Sequence, residues 1–230
     1  MKQSGTSALL EGAVQDLASD VVSALRGGGH MRAESTAMTD DAERSVARAA
    51  VRVVGADVLL PHVLLHTSPT PDELTLFRES VAAYPPRPDA TGTVVWSHWA
   101  MTSALRRFDP VGAPFPMEPD ATWLDGTSWQ HLTHQLAVLA PLARPGEDCA
   151  VARATRNRPV DVARGFVRAV RRRDWRQAAG AGRWLTLLPG VPDTLGLDAG
   201  LDFVDLMGGQ DPRVALHLQA ARLTRQGALA

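Results

Sequence analysis

The run PVDVARGFVRAVRRRDWRQAAGAGRWL, residues 159–185, reads as two α-helices joined by a tight turn. Pro159 opens the first, with Phe166, Val167 and Val170 turned inward. Asp174 is a natural N-cap for the second, which carries Trp175, Ala178, Leu185 and Leu188 to a stop at Pro189-Gly190. Leu197, Leu201 and Val204 then make a short helix closed by Gly208-Gly209. Asp211-Pro212 begins a last one with Val214, Leu218 and Ala221 inward. No strand-like alternation competes anywhere in the chain, so the fold class is all-α.

Within this stretch, Asp174-Trp175-x-x-Ala178-Ala179-x-x-Gly182-x-Trp184-Leu185 resembles the rhythm of tetratricopeptide helical hairpins. One unit is present, which does not make a repeat array.

The same periodicity extends upstream. Ser128 caps a helix with the face Trp129, Leu132, Leu136, Leu139 and Ala143, and residues 144–158 read as a polar connector. Val94, His98, Met101, Leu105 and Phe108 form a helical seam, followed by a proline-rich surface loop over residues 109–122. Thr70-Pro71-Asp72-Glu73 is a capping box whose helix turns Leu74, Phe77, Val81 and Tyr84 inward and ends at Pro85-Pro86. Asp40 and Glu43 start a helix with Val46, Ala50 and Val53 on one face, and the apolar residues 56–66 include Pro61. The expectation is a single domain over residues 32–230 with about seven or eight helices, the C-terminal half built of hairpins.

Before that domain, Leu10, Val14, Leu17, Val21 and Leu25 line one face of an amphipathic helix. Ser7 is its expected cap and Arg26-Gly27 its stop. Glu11, Asp16 and Asp20 make the opposite face acidic. Gly27-Gly28-Gly29 has the composition of a tether, and His30-Met31 is what an NdeI restriction site leaves when one reading frame is joined behind another. Residues 1–26 therefore read as a partner helix fused through a linker and cloning scar, residues 27–31, to a protein that begins at Met31. A natural N-terminal arm with a glycine hinge is the alternative.

Composition narrows the function classes. Net charge is −1 and cysteine occurs once, at Cys149, so neither an intramolecular disulfide nor a multi-cysteine zinc site is possible. Glu147 and Asp148 beside Cys149 argue against a reactive thiol. No apolar run is long enough to span a bilayer and no secretory signal opens the chain, which points to the cytoplasm. P-loop, dinucleotide, Gly-x-Ser-x-Gly and kinase signatures are missing, so no cofactor is implied. Residues 153–183 hold ten arginines, of which Arg164, Arg168, Arg171, Arg172 and Arg176 are the candidate contacts for an acidic peptide. The two aromatics in the run, Phe166 and Trp175, are assigned to inward helix faces rather than to stacking, and the chain is not basic overall, which argues against nucleic acid.

Five of the seven histidines lie between positions 62 and 134. His62 with His66, and His131 with His134, have spacings that share a helix face, but neither pair encloses a glutamate. His98 sits in an apolar stripe between Trp96 and Trp99. With Trp123 and Trp129 these tryptophans are candidate walls of an apolar pocket. His98, His131 and His134 are the candidate acid–base residues.

Residues 1–26 resemble the leader of a ribosomally made peptide in length, amphipathicity and acidity. The first expectation is thus a leader-peptide-binding protein of ribosomal peptide natural-product maturation, working beside other biosynthetic proteins. A catalytic form would be a cyclase that adds a thiol to a dehydrated residue, with histidine moving the proton. The alternatives are a non-catalytic adaptor that takes a partner helix in a groove and a histidine-ligated metalloenzyme using His62 and His66.

Overall fold

A computed structural model describes residues 2–27, 41–112 and 117–227. They form eleven α-helices and four short 3-10 helices, with no strand among the described residues. The all-α expectation holds, but ten α-helices follow the N-terminal one among the described residues where seven or eight were expected. Of the expected linker at residues 27–31, Gly27 is the last residue of a helix and residues 28–31 lie outside the described residues, as does the middle of the proline-rich loop. The helices divide into two compact units, residues 1–90 with 98–116, and residues 91–97 with 117–230.

The first unit contains α1 (Lys2–Gly27), α2 (Asp41–Val54), a 3-10 segment (Gly55–Leu59), α3 (Leu60–Leu64), α4 (Pro71–Ala83) and α5 (Gly92–Phe108) from His98 onward. Gly55, at φ +73°, makes the turn out of α2 that a side chain would resist. The apolar run behind it, residues 55–63, is buried throughout. The capping box at Thr70 is formed: the Glu73 amide donates to Thr70 Oγ1 at 3.2 Å, and the Thr70 amide donates to Glu73 Oε2 at 2.6 Å. Helix α4 is registered on α2 by a two-pronged Arg44–Glu79 pair and by the Ser80 hydroxyl donating to the Arg48 carbonyl at 2.9 Å.

Two helix boundaries and faces differ from expectation. Helix α1 begins at Lys2, so Ser7 lies inside it rather than capping it; no proline or turn residue stops the earlier residues from joining. On α2 the buried face is Ala50, Val51 and Val54, while Val53 is 43% exposed. Turning the helix this way places Val51 and Val54 inward together with Ala50, more apolar surface than the Val46–Ala50–Val53 stripe supplies.

The second unit begins with α5 up to Ser97 and holds a 3-10 segment (Thr122–Leu124), α6 (Trp129–Val138), a 3-10 segment (Ala140–Leu142), α7 (Ala150–Arg156), α8 (Pro159–Arg171), α9 (Trp175–Leu185), a 3-10 segment (Asp193–Leu195), α10 (Leu197–Gly208) and α11 (Pro212–Gly227). Helix α9 is central, packed against α6, α8, α10 and α11 and buried on every side from Ala178 to Leu185. Small residues allow this. A Cβ on Gly180 would stand 2.9 Å from the Ala137 Cα, and one on Gly165 would stand 2.4 Å from the Thr133 Cβ, so α6, α8 and α9 touch nearly backbone to backbone. The Trp184 indole donates to the Leu136 carbonyl at 2.8 Å and locks α9 on α6.

The α8–α9 turn is a Schellman motif. The Asp174 amide donates to the Ala169 carbonyl and the Arg173 amide to the Val170 carbonyl, both at 3.0 Å, with Arg173 left-handed at φ +57°. Asp174 then caps α9 by accepting from the Gln177 amide. Helix α7 replaces part of the expected polar connector. Its N-terminal amide at Ala150 donates to Glu118 Oε1 at 2.9 Å, and Arg153 reaches the same carboxylate at 2.8 Å. The cap comes from far along the chain, so no local signal announces the helix.

Candidate functional site

Two surfaces bear on the peptide-binding expectation. The first is the seat of α1. Val14, Ala18, Val21, Val22, Ala24 and Leu25 are buried, and α1 packs on α2, the Gly55–Leu59 segment and α3. Of the expected face, Val14, Val21 and Leu25 are buried, whereas Leu10 and Leu17 are half-buried. The alanines move the seam, because small side chains let α2 approach most closely along their line. Glu11, Asp16, Ser19 and Ser23 stay on the exposed side. The cradle of α1 within the first unit is therefore apolar.

The second surface is an open groove of about 730 Å³ along α8 in the second unit. Its floor is Trp129, Val160, Ala163, Val167, Pro192 and Leu195, and its cationic edge is Arg164, Arg168, Arg171 and Arg172. Four of the five expected peptide-contacting arginines thus share one groove. Arg176 does not line it: its Nε donates to Asp211 at 2.6 Å, tying α9 to the start of α11. Arg183, another of the ten, is fully buried and donates from Nε to the Ala143 carbonyl at 3.0 Å. The Arg168 guanidinium stands 5.7 Å over the Trp129 ring, a cation–π contact that holds it above the apolar floor. Arg164 lies 3.7 Å from Asp161, while Arg168, Arg171 and Arg172 have no carboxylate partner among the described residues. Cations in the last turn of α8 also suit its macrodipole, which explains their helical stability but not their shared edge.

The four tryptophans have different surroundings. Trp96 is fully buried, and its indole and that of Trp123 both donate to the Asp120 carbonyl, at 2.9 and 3.2 Å. Trp123 lies so close to Gly92 that a Cβ there would meet the ring at 2.5 Å. These two fasten the chain around residue 120. Trp129 alone belongs to the groove, and Trp99 is half-buried in the part of α5 that belongs to the first unit.

The histidines are dispersed. His98 Nε2 is 3.3 Å from the Val81 carbonyl, which identifies it as a donor to the open C-terminal turn of α4. Burial, helped by the Arg52 charge, holds its pKa below the ordinary 6.5 against the opposing pull of the Val81 bond. As pH falls, the unfolded chain takes the proton first, so the stability His98 contributes is present above about pH 6.5 and drains below it. Melting temperatures measured from about pH 7.5 to about pH 5 should fall less steeply in His98→Gln, which keeps the donor and loses the titration. Equal slopes in the two proteins would remove this assignment.

His131 and His134 are exposed on α6. The first accepts from Gln135 Nε2 at 3.0 Å, and Nδ1 of the second is 3.4 Å from Gln177 Oε1. His62 and His66 do not share a helix face, because α3 ends at Leu64 and His66 is left-handed at φ +53°. His62 is buried, with Nδ1 2.9 Å from Thr67 Oγ1 and Nε2 3.7 Å from Glu73. Among the described residues no group of three or more His, Cys, Asp or Glu side chains could hold a metal ion. The Cys149 thiol, at the N-cap of α7, is buried and its pKa is pushed up to about 11, chiefly by burial and only secondarily by Glu147 and Glu118. Among the described residues no helix is long and apolar enough to cross a membrane.

No protein-family model matches the chain, and neither a curated protein nor a solved structure matches it.

Proposed function

We propose that this protein is a helix receptor, with α1 as its docked acidic ligand, in the manner of a maturation protein that grips the leader of a ribosomally made peptide. The observation that carries the reading is the state of α1: one side buried on α2 and α3, the other polar, and a run of three glycines that starts at its last residue, Gly27. Burying a Val or Leu side chain is worth about 1.5–3 kcal/mol, so Val14, Val21, Val22 and Leu25 supply enough for association after its entropic cost. A short tether supplies an effective concentration on the order of 1 mM, at which an intrinsic Kd of ~10 µM leaves about 1% of α1 undocked. The proposal is for recognition rather than turnover. None of His98, His131 and His134 lines the α8 groove, and that lining contains no general base.

The test is to place a protease site within the glycines after α1, cleave the folded protein, and add labelled peptide of residues 1–26. The labelled peptide should exchange into the cradle with a micromolar Kd by anisotropy, and the cleaved protein should keep its helical circular dichroism. Collapse of the first unit on cleavage, or failure to exchange, would make α1 an ordinary core helix and end the proposal.

A further inference from the structure

We infer that the α8 groove is a second recognition site, independent of the α1 cradle, for an acidic amphipathic helix supplied by another molecule. Arg164, Arg168 and Arg171 recur at i, i+4 and i+7, so they form a row about 10 Å long down one edge of the groove. A ligand with one anionic group satisfies one or two of these cations and leaves the others unanswered. A helix bearing carboxylates at the same i, i+4, i+7 spacing meets the whole row. The floor adds a second requirement. Trp129, Val160, Val167 and Leu195 offer apolar side-chain surface to a stripe of leucine-like residues beside the carboxylates.

Charge complementarity and the floor together select this occupant over a nucleic acid. Phosphates would answer the arginines, but Trp129 is the single aromatic side chain in the groove's lining and Arg168 already covers one of its faces, so the groove has no row of platforms on which successive bases stack. The arginines that Asp or Glu elsewhere in this unit could neutralise are neutralised: Arg176 by Asp211, Arg153 by Glu118, Arg156 by Asp148, and Arg222 by Asp202 and Asp205. The groove row stands apart from that pattern in having only the 3.7 Å Arg164–Asp161 approach among the described residues.

The experiment titrates the full chain with a fluorescent alanine-based helix carrying glutamates at i, i+4, i+7 and leucines at i+1, i+5, i+8. Anisotropy should report saturable binding that weakens as salt is raised. Arg168→Glu with Arg171→Glu, both exposed positions, should weaken it about tenfold or more with unchanged circular dichroism, while Arg156→Glu outside the groove should not. A peptide with glutamine for glutamate, and one with alanine for leucine, should each bind at least about tenfold more weakly. Equal binding of either control peptide overturns the proposal, as does loss of no affinity in the double variant. Tighter binding of a single-stranded oligonucleotide through the same arginines also overturns it and identifies a nucleic-acid patch.

Discussion

Val21→Asp is expected to lift α1 from its seat, at a cost of about 4–5 kcal/mol. Val21 has no exposed surface and lies at the centre of the face that meets α2 and α3. The substitution removes roughly 1.5–3 kcal/mol of apolar burial and asks a carboxylate to enter a fully buried position, which costs several more. The chain will take the cheaper route and leave the face wet. Leu9→Asp is the matched control, because Leu9 is 66% exposed on the same helix, and its effect should stay within about 0.5 kcal/mol. Hydrogen exchange reads the outcome by segment. Protection should vanish over residues 7–27 in Val21→Asp and survive in Leu9→Asp. If α1 is a ligand, α4 and the buried part of α5 keep their protection; if they lose it too, α1 is integral to the first unit. Unchanged protection of α1 would mean that its packing is not what holds it.

Gly165→Ala should destabilise the second unit by about 1–3 kcal/mol or more, although in a helix Ala is intrinsically better than Gly by roughly 0.5–1 kcal/mol. The sign is decided by contact. The new Cβ would stand 1.9 Å from Thr133 Oγ1, 2.3 Å from its Cγ2 and 2.4 Å from its Cβ. A rotamer change relieves the first two, but Cβ is fixed to the backbone, so α6 and α8 must separate. That movement also disturbs the Thr133 hydroxyl bond to the Trp129 carbonyl, 2.7 Å long, at the edge of the groove. A drop in melting temperature of about 4–8 °C corresponds to 2 kcal/mol in a chain of this size. Gly12→Ala makes the same chemical change on α1 with nothing within 4 Å and should be neutral or slightly stabilising. Thr133→Gly in the Gly165→Ala background should recover part of the loss, a coupling that a double-mutant cycle measures. Additive effects would show that α6 and α8 do not meet there as described.

Helix existence and many helix starts were legible in the sequence because their causes lie within a turn or two of chain. Thr70 with Glu73, Ser128, and Asp174 each accept the amide three residues on, as their positions before apolar runs required. Pro159 opens α8 for the same local reason. Helix α7 was not legible: its amide is satisfied by Glu118, thirty-two positions away. Faces were read to within one position. On α1 and α2 the true seam is the one that fits a neighbour, and periodicity alone cannot weigh Ala18 against Leu17 or Val54 against Val53.

The arginine run shows the same division at the candidate site. Its charge and helical spacing are written in residues 164–172, and the acidic partner proposed for it is argued from them. Which arginines act together was decided only by the tertiary structure. Trp129 and the Pro192–Leu195 segment close a groove around four of them, Asp211 takes Arg176, and the Ala143 carbonyl draws Arg183 into the core. His98 was conspicuous in sequence as a polar residue in an apolar stripe, but its partner at Val81 belongs to another helix. Local sequence determines where the backbone will coil and which side is oily, because those energies are spent within one turn. Which side chains meet, and therefore what the surface can bind, is settled by residues far apart in the chain that close packing brings within a few ångströms.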